Sequence, residues 1–228
     1  MTATSGDKAG VSSRARPVGI LGGTFDPVHF GHLRLAEELA QQLGLSEVRF
    51  IPSGKPWHRG APGATPMQRM EMVSLAIAGN PRFVLDEREV RKNSPGYTLE
   101  TLSELRQEMG SEQPVCLLVG ADAFLGLPSW HRWRELFELA HIVVACRPGF
   151  SLLQERMDEA LREEAGQRAS TDPNDLQGRP GGRIMACHIT PLDISATAIR
   201  AQIQVEKSPR YLLPEAVLDY IRVNQIYI

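Results

Sequence analysis

Near its start the sequence reads Gly22-Gly23-Thr24-Phe25-Asp26-Pro27-Val28-His29-Phe30-Gly31-His32. The apolar run 18–21 before it predicts a short buried strand, and the paired glycines allow the backbone to turn tightly after that strand. Beyond it, apolar residues recur at helical spacing, namely Leu33, Leu35, Ala36, Leu39, Ala40 and Leu43. The stretch is therefore predicted to join a buried strand to an amphipathic helix.

The two histidines of this stretch fall at the predicted start of the helix. A helix N-terminus presents unpaired backbone N–H groups and the positive end of the helix dipole, so anions are favoured there. His29 and His32 share one face of the first turn, and Gly31 leaves room for a phosphate to approach the backbone. We expect both side chains to point at one anion, although capping of the helix would be the ordinary alternative.

The rest of the chain alternates predicted strands with predicted helices. Strands are predicted at 47–51, 83–85, 115–119, 141–146 and 184–189. Helices are predicted at 66–78, 98–109 and 152–165, after the loop 127–133, and from starts near Ser195 and Pro214. This alternation predicts parallel βαβ units with right-handed crossovers. The fold class is therefore α/β, a Rossmann-like three-layer fold with a parallel sheet flanked by helices.

One domain accounts for most of the chain, because 228 residues with 42% hydrophobic content allow one substantial core. Residues 1–16 are rich in small and charged residues without hydrophobic periodicity, which predicts a disordered N-terminal tail. Residues 17–228 are predicted to form a single domain. The polar, Pro- and Gly-rich segment 166–182 is predicted to be a mobile surface insertion.

Composition excludes several classes of protein. A net charge of −2 and a pI near 6.3 argue against a general nucleic-acid binder, which needs concentrated basic surface. No stretch approaches the roughly 18 consecutive apolar residues of a membrane span. Cys116, Cys146 and Cys187 are far apart and odd in number, which is typical of reduced thiols. We expect a cytoplasmic protein with neither nucleic acid nor membrane as partner.

Three further features are candidates for ligand contact. Asp122 follows the predicted strand 115–119, at the edge where parallel sheets bind ligands, although it could simply cap the next helix. Lys55 lies in a Pro- and Gly-rich loop, where a solvated lysine is as common as a functional one. A second hydroxyl-rich helix start reads Ile194-Ser195-Ala196-Thr197-Ala198-Ile199-Arg200. Taken alone, this segment predicts only a capped helix.

Two common phosphate-binding signatures are absent. The spacing of Gly19, Gly22 and Gly23 does not give G-x-G-x-x-G. Gly54-Lys55 lacks the upstream glycine of a Walker A loop and is followed by proline rather than serine or threonine. Neither a dinucleotide-dependent dehydrogenase nor a P-loop NTPase is therefore indicated.

Taken together, the motifs resemble a known family. The stretch 22–32 resembles the HxGH signature of nucleotidyltransferases related to class I aminoacyl-tRNA synthetases, and 194–200 resembles their second motif. The segments 85–89, 97–102, 120–122 and 130–149 narrow the resemblance to the bacterial nicotinate-mononucleotide adenylyltransferase family, over nearly everything from Pro17 onward. The resemblance implies transfer of AMP from ATP to nicotinate mononucleotide in NAD biosynthesis. Deamido-NAD and pyrophosphate would be the products, with Mg²⁺ assisting.

The resemblance also implies roles for individual residues. His29, His32 and Arg200 would be catalytic, with His32 at the transferred α-phosphate. Tyr97, Thr98 and Trp130 would form the nicotinate pocket, with Trp130 stacking on the ring. The ATP site would take Gly22, Gly23, Thr24, Phe25, His29, Gly31, His32, Lys55, Asp122, Ile194, Ser195, Thr197 and Arg200. No protein side chain is predicted as a metal ligand, because Mg²⁺ is commonly held by phosphates and water.

Three departures from the family pattern leave alternatives open. Ala196 and Gly96 stand where serine is usual, and Pro56-Trp57-His58-Arg59 replaces the common Pro-Pro-His-Lys. The nearest alternatives are adenylyl transfer to nicotinamide mononucleotide and pantetheine-phosphate adenylyltransferase, the latter usually carrying threonine or serine where His29 stands. A nucleotide-sensing module that has lost turnover is the alternative from another class. The segment Tyr97-Thr98 favours the acid form of the mononucleotide by the same resemblance.

Overall fold

A computed structural model describes residues 15–54, 62–92, 96–147, 152 and 157–228. Within these ranges, parallel strands form a single sheet in the order β3-β2-β1-β4-β5-β6. The strands are β1 (Val18–Gly23), β2 (Glu47–Pro52), β3 (Phe83–Leu85), β4 (Val115–Gly120), β5 (His141–Cys146) and β6 (Ile184–His188). Their bounds agree with the sequence prediction to within two residues, the largest difference being at the end of β1.

Helices connect the strands on both faces of the sheet. They are α1 (Phe30–Gln42), α2 (Pro66–Ile77), α3 (Arg88–Arg91), α4 (Thr98–Met109), α5 (Ala121–Leu125), α6 (Leu136–Leu139), α7 (Glu159–Arg168), α8 (Ala196–Gln204) and α9 (Glu215–Val223). The predicted capping box of α2 is present, since Gln68 N donates to Thr65 Oγ1 at 3.2 Å and Thr65 N donates to Gln68 Oε1 at 2.9 Å.

Two apolar layers cover the sheet. In β5, Val143 and Ala145 pack into the layer that contains α1 and α9, whereas Ile142 and Val144 pack into the layer that contains α4 and α7. This alternation is the period of two expected for a strand that is buried on both faces. The predicted α/β three-layer fold is confirmed.

The strand order places a topological switch at β1. From β1 the chain runs outward to β2 and β3, and then returns to β4 on the other side of β1. The pairing of β1 with β2 continues to Gly23, whereas its pairing with β4 ends at Ile20. The carboxyl ends of β1 and β4 therefore flank an opening, which is where open α/β sheets bind ligands.

The region after β5 differs from its sequence prediction. The predicted helix over 152–165 is wrong at its start, because α7 begins at Glu159 after Asp158, whose Oδ1 accepts the Ala160 N–H at 2.9 Å. Within 166–182, Leu176 is fully buried and Ser170 N donates to Ile184 O at 2.9 Å. Leu176 therefore packs against the core, and the assignment of 166–182 to a surface insertion stays a prediction. Mobility of the segment stays a prediction.

The remaining domain limits also stay predictions. Residues 1–14 of the predicted tail lie outside the described residues, as does the loop 55–61 that contains Lys55. From Pro17 onward, the described parts of the chain share the one sheet and its two apolar layers.

Candidate functional site

A cavity of about 1360 Å³ opens at the carboxyl ends of β1 and β4. This volume exceeds the roughly 300–1,000 Å³ of ordinary ligand pockets, so the cavity has room for two substrates. Every predicted site residue that the structure describes lines it: Gly22, Gly23, Thr24, Phe25, His29, Gly31, His32, Tyr97, Thr98, Asp122, Trp130, Ile194, Ser195, Thr197 and Arg200. The fold thus brings together segments that are far apart in sequence.

The two histidines lie side by side at the start of α1. His29 is the N-cap residue, and its ring centroid lies 3.8 Å from that of His32. The His29 backbone N–H donates to His32 Nδ1 at 3.3 Å, which requires a lone pair on Nδ1. While Nδ1 accepts this bond, the His32 ring therefore carries its proton on Nε2.

Burial sets the charge state of His29. The residue is only 6% exposed, and burial lowers the pKa of its imidazole to about 4. His29 is therefore neutral near pH 7. Its Nδ1 is buried without a hydrogen-bond partner among the described residues. A Cβ at Gly31 would lie 2.9 Å from this same nitrogen, so glycine at position 31 leaves the His29 ring its space.

The aromatic ring of Phe25 packs against the His32 ring. Phe25 is buried with φ of 49°, a left-handed conformation that is uncommon for a bulky residue. Its ring meets the His32 ring edge to face, with 5.1 Å between centroids. The turn after β1 therefore fixes the imidazole through both Phe25 and the His29 backbone.

The second motif contacts the first through Arg200. Ser195 caps α8, because its Oγ accepts the Ala198 N–H at 3.2 Å. Arg200 Nη1 donates to the Asp26 carbonyl oxygen at 2.7 Å, and Nη2 donates to Thr197 Oγ1 at 3.4 Å. Because Arg200 also lines the cavity, α8 presents a guanidinium to the same space as the histidines. The capping alternative for Ser195 is observed, and it is compatible with a ligand role.

The buried carboxylate of Asp26 was not predicted from the sequence as a site group. This side chain is 5% exposed and accepts three hydrogen bonds: from Gly63 N at 2.9 Å, Ala64 N at 3.0 Å and the Tyr227 hydroxyl at 2.7 Å. Burial and the hydrogen bond to Asp26 raise the pKa of Tyr227 above its usual range. The motif itself contained Asp26, but no local signal pairs it with a tyrosine 201 positions away.

Arg69 is a second buried group that sequence analysis missed. It is 0% exposed and donates to the carbonyl oxygens of Thr24 at 2.6 Å, Ser53 at 2.6 Å and Gly54 at 3.1 Å. Burial lowers the pKa of its guanidinium. Arg69 therefore ties together the turns that follow β1 and β2, and its position inside α2 gave no sign of that role.

On the other side of the cavity, exposed and half-buried aromatic rings line the wall. Tyr97 is the N-cap residue of α4, without a side-chain cap, and its ring lies 4.6 Å from that of His131. Trp130 is half-buried, packs against the second apolar layer and lines the cavity. Its predicted roles as core anchor and as ligand contact are therefore compatible. Asp122 is exposed and lies in the first turn of α5, whose N-cap residue is Gly120.

Glu89 is a further acidic group that sequence analysis did not assign. Its Oε1 accepts the Thr101 hydroxyl at 2.7 Å, and burial raises the pKa of its carboxyl group. A Cβ at Gly96 would lie 2.9 Å from Glu89 Oε2, so the unusual glycine at position 96 relieves crowding against this carboxyl group. Glu89 lines the cavity beside Tyr97.

Comparison with known proteins identifies the family of this site. The sequence matches the family described as cytidylyltransferase-like over residues 20–202. It is 52% identical over 213 residues to a "Probable nicotinate-nucleotide adenylyltransferase" of Dechloromonas aromatica, covering 93% of this chain and 98% of that protein. A Halorhodospira halophila protein of the same name is 50% identical over 202 residues, covering 89% and 91%. The chain belongs to the nicotinate-nucleotide adenylyltransferase family.

Solved structures share the fold. Plasmodium falciparum nicotinic acid mononucleotide adenylyltransferase complexed with NaAD superposes with a TM-score of 0.70, at 16% identity. The same protein complexed with APC gives a TM-score of 0.64, also at 16% identity. Each comparison covers 93% of this chain and 97% of the other. At that identity, the similarity shows the fold alone.

Membership of the nicotinate-nucleotide adenylyltransferase family confirms the central sequence predictions. The chain is an enzyme, a nucleotidyltransferase of NAD biosynthesis with nucleotide substrates. Among the described residues, no group of three or more His, Cys, Asp or Glu side chains could hold a metal ion. None of the described helices is long and apolar enough to cross a membrane. The roles of individual residues stay predictions.

Proposed function

We propose that this chain transfers AMP from ATP to nicotinate mononucleotide. A phosphate oxygen of the mononucleotide would attack the α-phosphorus of ATP, and the bond to the bridging oxygen of pyrophosphate would break. The products would be deamido-NAD and pyrophosphate. One observation carries the proposal: a single cavity connects the helix starts of α1 and α8 with the start of α4. Each helix start favours an anion, and the reaction joins anionic substrates.

The α1 side would bind the transferred phosphate. His32 would stabilise the charge that develops on the α-phosphate, because its ring proton faces away from the hydrogen-bonded Nδ1. His29, which is neutral near pH 7, would add a polar contact without a charge that needs a counter-ion. Gly22, Gly23, Thr24, Phe25 and Gly31 line this part of the cavity and would shape the ATP site.

The α8 side would bind the leaving pyrophosphate. Ser195 and Thr197 supply hydroxyl groups at the helix start, and Ile194 lines the cavity beside them. Arg200 supplies a guanidinium, of whose five N–H donors the two hydrogen bonds described above use two. The others are suited to phosphate oxygens, which guanidinium groups bind in forked geometry. Lys55 as a further point charge stays a prediction outside the described residues.

The α4 side would bind the mononucleotide. Trp130 would stack on the pyridine ring, with Tyr97 beside it. None of the described side chains caps the twelve-residue helix α4, and the positive end of its dipole near Thr98 favours a carboxylate over a neutral amide. This supports the acid form of the mononucleotide as the preferred substrate. Asp122, exposed just beyond the end of β4, would bind a ribose hydroxyl of ATP.

We propose that Mg²⁺ enters the site together with ATP. The donor set fits an ion held mainly by phosphate oxygens and water, because the Asp26 carboxylate already accepts three hydrogen bonds from the chain. When bound, the ion would neutralise phosphate charge. With a net charge of −2 and its nucleotide substrates, the protein is proposed to act in the cytoplasm without nucleic acid or membrane partners.

A product assay tests this proposal. Purified protein is incubated with Mg-ATP and, separately, nicotinate mononucleotide, nicotinamide mononucleotide or phosphopantetheine, and pyrophosphate and the adenylylated product are quantified. We expect deamido-NAD with a kcat/KM about 100-fold above that for the amide. Equal or reversed preference would contradict the acid-specific site. Binding of Mg-ATP without any product would favour the nucleotide-sensing module.

A further inference from the structure

Tyr227 reaches the phosphate side of the cavity from beyond α9. The Tyr227 hydroxyl donates to Asp26 Oδ1 at 2.7 Å, although Tyr227 lies outside both motifs in sequence. Its ring packs against Gly63, where a Cβ would lie 2.8 Å from the ring. The Gly63 N–H in turn donates to Asp26 Oδ2. Tyr227 therefore holds the Asp26 carboxylate both directly and through the backbone of residue 63.

Asp26 connects this tyrosine to Arg200. The Asp26 carbonyl oxygen accepts from Arg200 Nη1 at 2.7 Å, whereas its carboxylate oxygen Oδ2 lies 3.6 Å from the same nitrogen. The carboxylate is thus close enough to attract the guanidinium, while three of its lone pairs already accept hydrogen bonds from Gly63, Ala64 and Tyr227. Arg200 is thereby held at the cavity wall by the carbonyl oxygen.

Arg69, the other arginine near Asp26, is fixed by its own hydrogen bonds and cannot move toward the carboxylate. Arg69 is fully buried and donates to three carbonyl oxygens. Arg200 is 29% exposed at its side chain and faces the cavity. If Asp26 lost the Tyr227 hydroxyl, a buried carboxylate would lack a short hydrogen bond. Between Arg69 and Arg200, Arg200 is the cation that can move toward it.

We infer that Tyr227 is a positioning residue for adenylyl transfer: its hydrogen bond to the Asp26 carboxylate keeps the Arg200 guanidinium on the Asp26 carbonyl oxygen at the cavity wall. The inference rests on the proposed function of Arg200 as a ligand of the ATP phosphates. It assigns a role in the reaction to a side chain that lies outside both nucleotidyltransferase motifs and does not line the cavity.

Tyr227→Phe tests this inference, because it removes the hydroxyl and keeps the ring that packs on Gly63. We expect kcat/KM for Mg-ATP to fall about tenfold, and KM for the mononucleotide to change less than about twofold. Tyr211→Phe is the matched control, since Tyr211 is 83% exposed and does not line the cavity. Thermal unfolding of each variant checks that it is folded at the assay temperature.

A double-mutant cycle with Arg200→Ala separates positioning from a merely structural role. If Tyr227 acts through Arg200, adding Tyr227→Phe to Arg200→Ala will lower kcat/KM for Mg-ATP by less than about twofold further. A tenfold further loss in the Arg200→Ala background would overturn the inference. Unchanged kcat/KM in Tyr227→Phe alone would also overturn it.

Calorimetry keeps this test separate from the proposed reaction. The affinity for Mg-ATP is measured without a mononucleotide for the wild type, both single variants and the double variant. We expect the same non-additive pattern in the dissociation constants, and additive losses would contradict the inference. If the wild type forms no dinucleotide, the proposed function fails, while this binding cycle still decides whether Tyr227 positions Arg200.

Discussion

The two sides of the cavity are built in different ways. On the phosphate side, Asp26, His29 and Arg69 are all buried, and backbone atoms supply or accept most of their hydrogen bonds. On the acceptor side, His131 is exposed, and the Tyr97 ring packs against the His131 ring. Groups that stabilise charge during reaction benefit from fixed positions, whereas groups that admit and release a substrate must stay accessible. Substitutions on the two sides should therefore differ in kind.

The largest expected effect concerns His32. We expect His32→Ala to lower kcat by about 10³-fold with KM for both substrates changed less than about threefold, because the lost contact acts on charge that develops during transfer. Steady-state kinetics with Mg-ATP and nicotinate mononucleotide measures both constants. A loss confined to KM would make His32 a binding group and weaken the contrast between the two sides.

The second effect concerns stability in acid. The pKa values of His29 and His141 are lowered by burial from 6.5 to about 4, so the unfolded chain binds their protons near pH 6.5 and the folded chain only near pH 4. The contribution of these two groups to the free energy of unfolding is fully present above pH 6.5. It falls as the pH decreases toward 4, by about 3 kcal/mol for each histidine. Denaturant unfolding across this range should show a shallower pH dependence for His29→Gln than for the wild type. Parallel curves would mean that His29 is not held neutral.

A smaller effect is expected at Arg69. Arg69→Met keeps much of the side-chain volume but removes the donors to three carbonyl oxygens, so we expect the free energy of unfolding to fall by about 2 kcal/mol. Arg91→Met is the control on an exposed helix, with an expected change within about 0.5 kcal/mol. Equal stability of the two variants would show that the buried guanidinium does not support the phosphate side.

The smallest effect is expected at Trp130, on the acceptor side. Trp130→Ala should raise KM for the mononucleotide about tenfold and leave kcat within about twofold, because ring stacking binds ground state and transition state alike. Tyr211→Ala, which removes an exposed aromatic side chain away from the cavity, should change neither constant. A loss in kcat as large as that of His32→Ala would remove the distinction between the two sides.

The parts of the site that sequence could predict are local. The start of α1 at the histidines follows from apolar spacing and a glycine-rich turn, and the same holds for Ser195 at the start of α8. Such patterns lie within a dozen residues, so their geometry follows from the regular helix and strand.

The missed groups depend on tertiary structure. The hydroxyl of Tyr227 meets Asp26 only because the chain after α9 returns to the turn after β1, and Arg69 appears in sequence as one more polar residue of a helix. The start of α7 was missed because charged residues continue on both sides of Asp158, and only the observed cap marks the boundary. Long-range contacts of this kind leave no periodic signal in the sequence.

The most direct test of the division between the two sides is a crystal structure of the protein with bound deamido-NAD. We predict that the phosphate of its AMP half lies within hydrogen-bond distance of His32 Nε2, and that its pyridine ring stacks on Trp130 with the carboxylate toward the start of α4. A dinucleotide bound in the opposite direction, or with its pyridine ring against His29 and His32, would contradict the account.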